Sequence, residues 1–335
     1  MGLERIRNSV SRRAWMGWAA GAAGLAAAGD EASALHGPNM PYAAFDSQPS
    51  ETVPVEGGRL RVVFGPGRPV LPRERILAHL RQSSHSVATY FGRFPVADTR
   101  VLVLFTDAPG RPVRSGQAFG YRGAAIKLTL AQGSTEADLQ DDWVLVHEMT
   151  HLALPSLPRR QHWFEEGMAT YVEPIARVQA GALPAERIWA DMLRDMRQGL
   201  PQAGDRGLDG TPTWARTYWG GALFCLLADV EMRERSGNRN GLQHALRAIM
   251  ARGNMESDSD LPPLLAIGDQ AVGVPVLQEL YGQMKDAPFD VDLPALWKKL
   301  GVQVAAEGVK FDERAPLAAA RRALTRRIDA EQGAG

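Results

Sequence analysis

Apolar positions repeat every second residue in the early part of the chain and roughly every 3.6 residues later on. "RLRVVFG" (59–65) alternates and predicts a strand. "TRVLVLFTD" (99–107) is apolar almost throughout and predicts an interior strand. "GAAIKLTLAQG" (123–133) sets Ile126, Leu128 and Leu130 on one face and Lys127 and Thr129 on the other. That alternation suits a strand with one wet face. The segment "LPRERILAHLRQSSHSVATYFGRF" has Leu77, Leu80, Val87 and Tyr90 at helical positions and Pro72 near its first turn.

Helical periodicity dominates after residue 134. Ser134 or Thr135 can cap a helix running to about Leu154, where Pro155 stops it. "HWFEEGMATYVE" opens another helix, which Pro174 is expected to end or kink. "PAERIWADMLRDMRQG", "TWARTYWGGALFCLLADVEMRERSG" and "NGLQHALRAIMARG" follow, with Gly199, Gly237 and Gly253 as expected stops. A last helix covers roughly 315–331. The fold class expected is α+β, a small mixed N-terminal sheet with a helix followed by a mainly helical C-terminal half. Residues 35–58, rich in Pro, Gly and Ser, read as a linker. Residues 59–312 read as the main unit (59–133 its α/β part, 134–312 its helical part), and 313–335 as a C-terminal helix and tail.

Composition changes this picture little. Apolar residues make up 45% and charged residues 23%, with a formal net charge of zero, so nothing points to a nucleic-acid partner. The single cysteine, Cys225, excludes an intrachain disulfide and is expected in the core. The N-terminus stands apart. "SRRAWMGWAAGAAGLAAAGDEASA" pairs Arg12 with Arg13 ahead of a weakly apolar run and a small-residue end at Ala32-Ser33-Ala34. It resembles a twin-arginine export signal over residues 1–34, which implies a periplasmic or secreted protein. The run of about 14 residues is too short to span a bilayer, so no membrane span is expected in the mature chain.

The chemistry concentrates in "LVHEMTHLAL" (145–154). On a helix, His147 and His151 stand one turn apart on one face and can converge on one ion. Glu148 lies about 100° round the helix, beside the ion, where a base can deprotonate a metal-activated water. Val144, Leu145, Val146, Met149, Leu152 and Leu154 make the segment apolar on most sides, so it should be buried. A buried carboxylate beside two buried imidazoles is costly unless something pairs them, and a metal ion does.

Downstream, "WFEEGMATYVE" resembles the second motif of the gluzincin clan of zinc peptidases, with Trp163, Glu166 and Gly167 in a W-x-x-E-G setting. The resemblance implies that Glu166 is the third ligand; Glu165, about 100° round the helix, is the competitor. Two His and one Glu leave zinc a fourth position for water, as a catalytic site needs. "TYWGGALFCLLADVEMRERSG" is similar to a helix of the glycyl aminopeptidase family in the same clan through Tyr218, Gly221, Asp229 and Arg233. That similarity implies an oxyanion-stabilising role for Tyr218, while Asp229 and Arg233 read as a helix ion pair.

The resemblance therefore implies a gluzincin-like fold with one Zn²⁺ in a cleft between the two halves. His147, His151 and Glu166 would bind the metal, Glu148 and Tyr218 would be catalytic, and the substrate would be a peptide or protein. Glu173 or Thr170 is placed to orient a ligand histidine through its free N–H, and His162, beside Trp163, either reaches the cleft or, on the plainer reading, is a loop histidine. The strand at 123–131 is expected to pair with an extended peptide. A zinc-binding module without turnover is the alternative, and a metal-free envelope protein a third reading.

Overall fold

The computed structural model describes residue 35 and residues 37–328; the expected export signal lies outside the described residues. A five-stranded sheet occupies the N-terminal part, in the order β1-β2-β3-β5-β4. Its strands are β1 (Glu51–Val55), β2 (Gly58–Phe64), β3 (Asp98–Thr106), β4 (Val113–Phe119) and β5 (Ala125–Ala131). β2, β3 and β5 run parallel, while β1 and β4 close the two edges antiparallel.

Twelve helices are described: α1 (Tyr42–Asp46), α2 (Arg73–Phe91), α3 (Glu136–Gln140), α4 (Val144–His151), α5 (His162–Gln179), α6 (Ala185–Asp195), α7 (Gly221–Arg235), α8 (Leu242–Met250), α9 (Leu261–Val272), α10 (Val276–Met284), α11 (Leu293–Leu300) and α12 (Ala318–Leu324). A two-stranded hairpin, β6 (Val302–Ala305) and β7 (Gly308–Phe311), separates the last two.

One core joins the two halves. Leu60, Val62, Val101, Val103, Ile126 and Leu128 of the sheet share it with Leu80 of α2, Leu145 and Met149 of α4, and Phe164 and Val172 of α5. The α+β order expected from the periodicity is present. Several boundaries differ, each for a visible reason.

The segment expected as a linker is folded. Leu35, Met40, Tyr42 and Phe45 cover the far face of the sheet against Val63, Leu102, Leu104 and Phe119. The side of β5 read as wet is therefore partly roofed, and the Lys127 ammonium donates to the carbonyls of Gly37 (2.7 Å) and Pro38 (2.9 Å). The single helix expected from Ser134 or Thr135 to Leu154 is two. Thr135 caps α3 through a reciprocal pair with Asp138. A new start follows at Asp142, whose carboxylate accepts the N–H of Val144 (2.8 Å) and Leu145 (3.3 Å).

Pro174 neither ends nor breaks α5, which continues to Gln179 and is buried along nearly its whole length. Packing on every side outweighs one missing backbone donor. Of the three expected glycine stops, Gly237 alone takes a positive φ (62°). The C-terminal helix, expected apart from the main unit, is tied into it. Arg321, 2% exposed, donates to the carbonyl of Leu300 (2.9 Å), and Gln179 donates to the carbonyl of Leu324 (3.2 Å).

Candidate metal centre

The centre is assembled by two buried helices and the edge of the sheet. α4 is short and buried at all eight positions. Its first turn is fixed by Asp142, which also takes a hydrogen bond from His79 of α2 (2.9 Å). One turn separates His147 from His151, and their rings meet edge to face with centroids 4.9 Å apart.

α5 brings the carboxylate. Trp163 anchors its first turn, with Nε1 donating to Asp209 (2.7 Å) and the ring packed on Phe224. Gly167 lets α5 cross its neighbour closely: a Cβ there would lie 2.3 Å from the backbone of Gly221. Gly221 needs to be bare for the same reason, since its Cβ would meet the Trp163 carbonyl at 2.1 Å. The two motif glycines are thus the two sides of one helix crossing.

At that crossing, residues Ala215–Gly220 wind as a π-helix before α7 begins. The continuous helix expected there has a widened turn, a feature frequent at functional sites. Tyr218 lies on it, with its ring nearly parallel to His147 at 6.3 Å.

Glu166 Oε2 lies 3.2 Å from His147 Nε2 and 3.6 Å from His151 Nε2. All three donor atoms fall within 4.8 Å of one another. Tetrahedral bonds of about 2.1 Å put neighbouring ligand atoms about 3.4 Å apart, so the three side chains fit one zinc-sized ion. Glu165 is not part of this cluster and is engaged elsewhere. Its Oε1 accepts the Leu157 N–H (3.0 Å), and its Oε2 accepts from His162 Nδ1 (2.8 Å).

Glu148 points toward β4 rather than into the ligand set. Its carboxylate takes the Ala118 N–H. A Cβ on Gly116 would come within 2.5 Å of Glu148 Cγ and 2.7 Å of Val144 Cγ1. The edge strand therefore presses on the helix where it has no side chain.

Charge follows this geometry. Burial raises the pKa of Glu148, against the opposing pull of His151 and His147. Burial alone would raise Glu166 too, but His151, His147 and His162 hold it well below the usual carboxylate range. The same carboxylate overcomes the burial of His151 and raises it to about 9. The Tyr218 phenol is raised by burial and by Glu166, so it remains a donor at neutral pH.

His147, His151 and Glu166 come together as expected, with Glu148 and Tyr218 beside them. Two expectations need correction, on the strand that receives a peptide and on the placing of His162. The strand at 123–131 cannot receive a peptide, because β5 is paired on both sides; the edge strand is β4, whose sequence "VRSGQAF" shows too little apolar alternation to be noticed. Glu173 is engaged in a buried ion pair with Arg177 (2.9 Å). His162 is the first residue of α5, not a loop residue, and reaches Glu166. Its spacing of three and four from the two glutamates was the available signal. Asp229 and Arg233 do form the expected ion pair (2.8 Å), and Cys225 is buried.

No family model matches the chain. No curated protein matches it significantly. Among solved structures, the chain is similar to an aminopeptidase N family protein from Idiomarina loihiensis. That match has 16% identity and a TM-score of 0.57, over 80% of this chain and 53% of that one. An M1 zinc metallopeptidase from Deinococcus radiodurans aligns more loosely, with 18% identity and a TM-score of 0.47 over 72% of this chain and 52% of that one. The chain thus spans about half the length of these structures. At this identity the first likeness speaks for the fold: the described residues fold like part of an aminopeptidase N family protein.

Proposed function

We propose that the protein is a zinc metallopeptidase that hydrolyses peptide bonds with Glu148 as general base. The observation that carries this reading is the convergence of His147, His151 and Glu166 on one point, with a separate buried carboxylate beside it. A purely structural zinc site does not require that fourth group.

Zinc bound by the triad supplies Lewis acidity, lowering the pKa of a water and polarising a carbonyl. Glu148 stands where it can accept a proton from the attacking water and hand it to the leaving amine. Tyr218 can donate a hydrogen bond to the oxygen that gains charge in the transition state. β4, the sheet edge next to Glu148, offers backbone groups to an extended peptide. The paired Arg12–Arg13 segment supports export to the periplasm or beyond.

A mixed peptide library digested by wild type and by Glu148→Gln, read by mass spectrometry, tests the proposal. Metal analysis of both proteins accompanies it. Wild type should hold one zinc and cleave. The variant should keep its zinc and lose about 10²–10⁴-fold in rate. An unchanged rate would overturn Glu148 as the base. Zinc without any cleavage by wild type would turn the reading to a binding module.

A further inference from the structure

Beyond the ligand set, the outer side of Glu166 has a polar partner of its own. This carboxylate has two oxygens, and they face opposite ways. Oε2 faces the two ligand histidines. Oε1 lies 3.2 Å from His162 Nε2, the side chain one turn earlier on α5. The other ring nitrogen of His162 is 2.8 Å from Glu165 Oε2. The remaining oxygen of Glu165 accepts the Leu157 N–H at 3.0 Å, across the connection between α4 and α5. A continuous run of polar contacts, two hydrogen bonds and then the His162–Glu166 ion pair, thus links the backbone of that connection to the carboxylate that completes the triad.

We infer that His162 is a positioning residue for the metal centre: by holding Oε1 of Glu166 it presents Oε2 alone to the ion. A carboxylate on a flexible side chain otherwise has both oxygens available and several rotamers. Restricting it lowers the ordering required when metal binds, and hydrogen-bonded partners of ligands typically contribute tenfold to a hundredfold in affinity. His162 suits a positioning role better than a packing one. Its side chain is 52% exposed, whereas that of Glu166 is 11% exposed, so its removal takes little from the core. Glu165, which the sequence offered as a rival ligand, serves instead as the anchor at the other end of the ring.

The inference rests on the proposed metal site and is tested on the full chain by zinc binding rather than turnover. Zn²⁺ alone is titrated against a competing chelator for wild type and for His162→Ala, His162→Gln, His162→Asn and His147→Ala. His162→Ala should bind zinc about tenfold to a hundredfold more weakly than wild type, with an unchanged Tm in the metal-free state. His162→Gln, whose amide can still reach Glu166 one turn away, should recover part of the affinity. His162→Asn, too short to do so, should not. Wild-type affinity in His162→Ala would overturn the inference while leaving the metal site intact. A loss as complete as that of His147→Ala would overturn it too, making His162 a ligand. A metal-free Tm lowered in step with affinity would assign His162 to the fold instead. Failure of wild type itself to bind zinc would strike the proposed function, a distinct outcome.

Discussion

Two buried ionic clusters meet on α5, and they are finished differently. In one, Asp229 of α7 is engaged by groups of its own chain. It accepts from Arg233 (2.8 Å), from the Leu242 N–H (3.1 Å) and from the Tyr171 hydroxyl of α5 (3.1 Å). Five residues before Tyr171, Glu166 meets two imidazoles, and Glu148 sits beside them without an arginine or lysine. The first cluster is closed by a permanent cation and two further donors. The second has nitrogen and oxygen donor atoms converging on one point, an arrangement a divalent ion completes. Burial alone does not distinguish a site from a strut; a fixed arginine closes the first cluster, whereas the second is built on imidazoles, which can give up a proton and bind a metal instead.

Substitutions can break this contrast. Asp229→Ala leaves Arg233 buried without its carboxylate and removes the acceptor at the start of α8, and should lower stability by about 3–5 kcal/mol in denaturant titration. Zinc affinity of the folded protein should be unaffected. Tyr218→Phe should do the reverse, lowering kcat by about 10²–10³-fold while Tm and zinc content are held.

Gly116→Ala should come next, with kcat/KM down by about tenfold to a hundredfold, because the added methyl must displace either β4 or Glu148. Wild-type turnover in that variant would contradict the close approach. The smallest effect sharpens the comparison most. In metal-free protein, Glu148→Gln should raise stability by on the order of 1 kcal/mol at neutral pH, where Asp229 substitutions lower it. The sign follows from the raised pKa of Glu148: the ionised form is disfavoured in the fold relative to the unfolded chain. The gain should disappear as pH falls below the usual carboxylate range, where Glu148 is protonated in both states. Guanidine titrations of the chelated proteins at several pH values check it.

The readable parts of this site share a property: their geometry is local. His147, Glu148 and His151 are related by a single helical turn, and the helix needs only its apolar neighbours to form. The motif glycines, Gly167 and Gly221, were visible as letters, but their purpose was not. Only the crossing of α5 against the segment leading into α7 shows that each must lack a side chain because the other backbone is there. The break before α4 also escaped notice, since an Asp inside an apolar pattern reads as a surface position until its carboxylate is found capping the next turn.

Taken alone, the order of residues determined which side chains share a helical face, that 99–107 is an interior strand, and that a histidine pair and a neighbouring carboxylate stand together on one buried helix. Those properties depend on neighbours within a few positions, where backbone geometry is nearly invariant. Tertiary structure decided which strand is the edge, that residues 35–47 roof the sheet, that Pro174 is tolerated, and that His162 meets Glu166. Each depends on segments far apart in the chain, where packing outweighs local preference and periodicity carries no record of the partner.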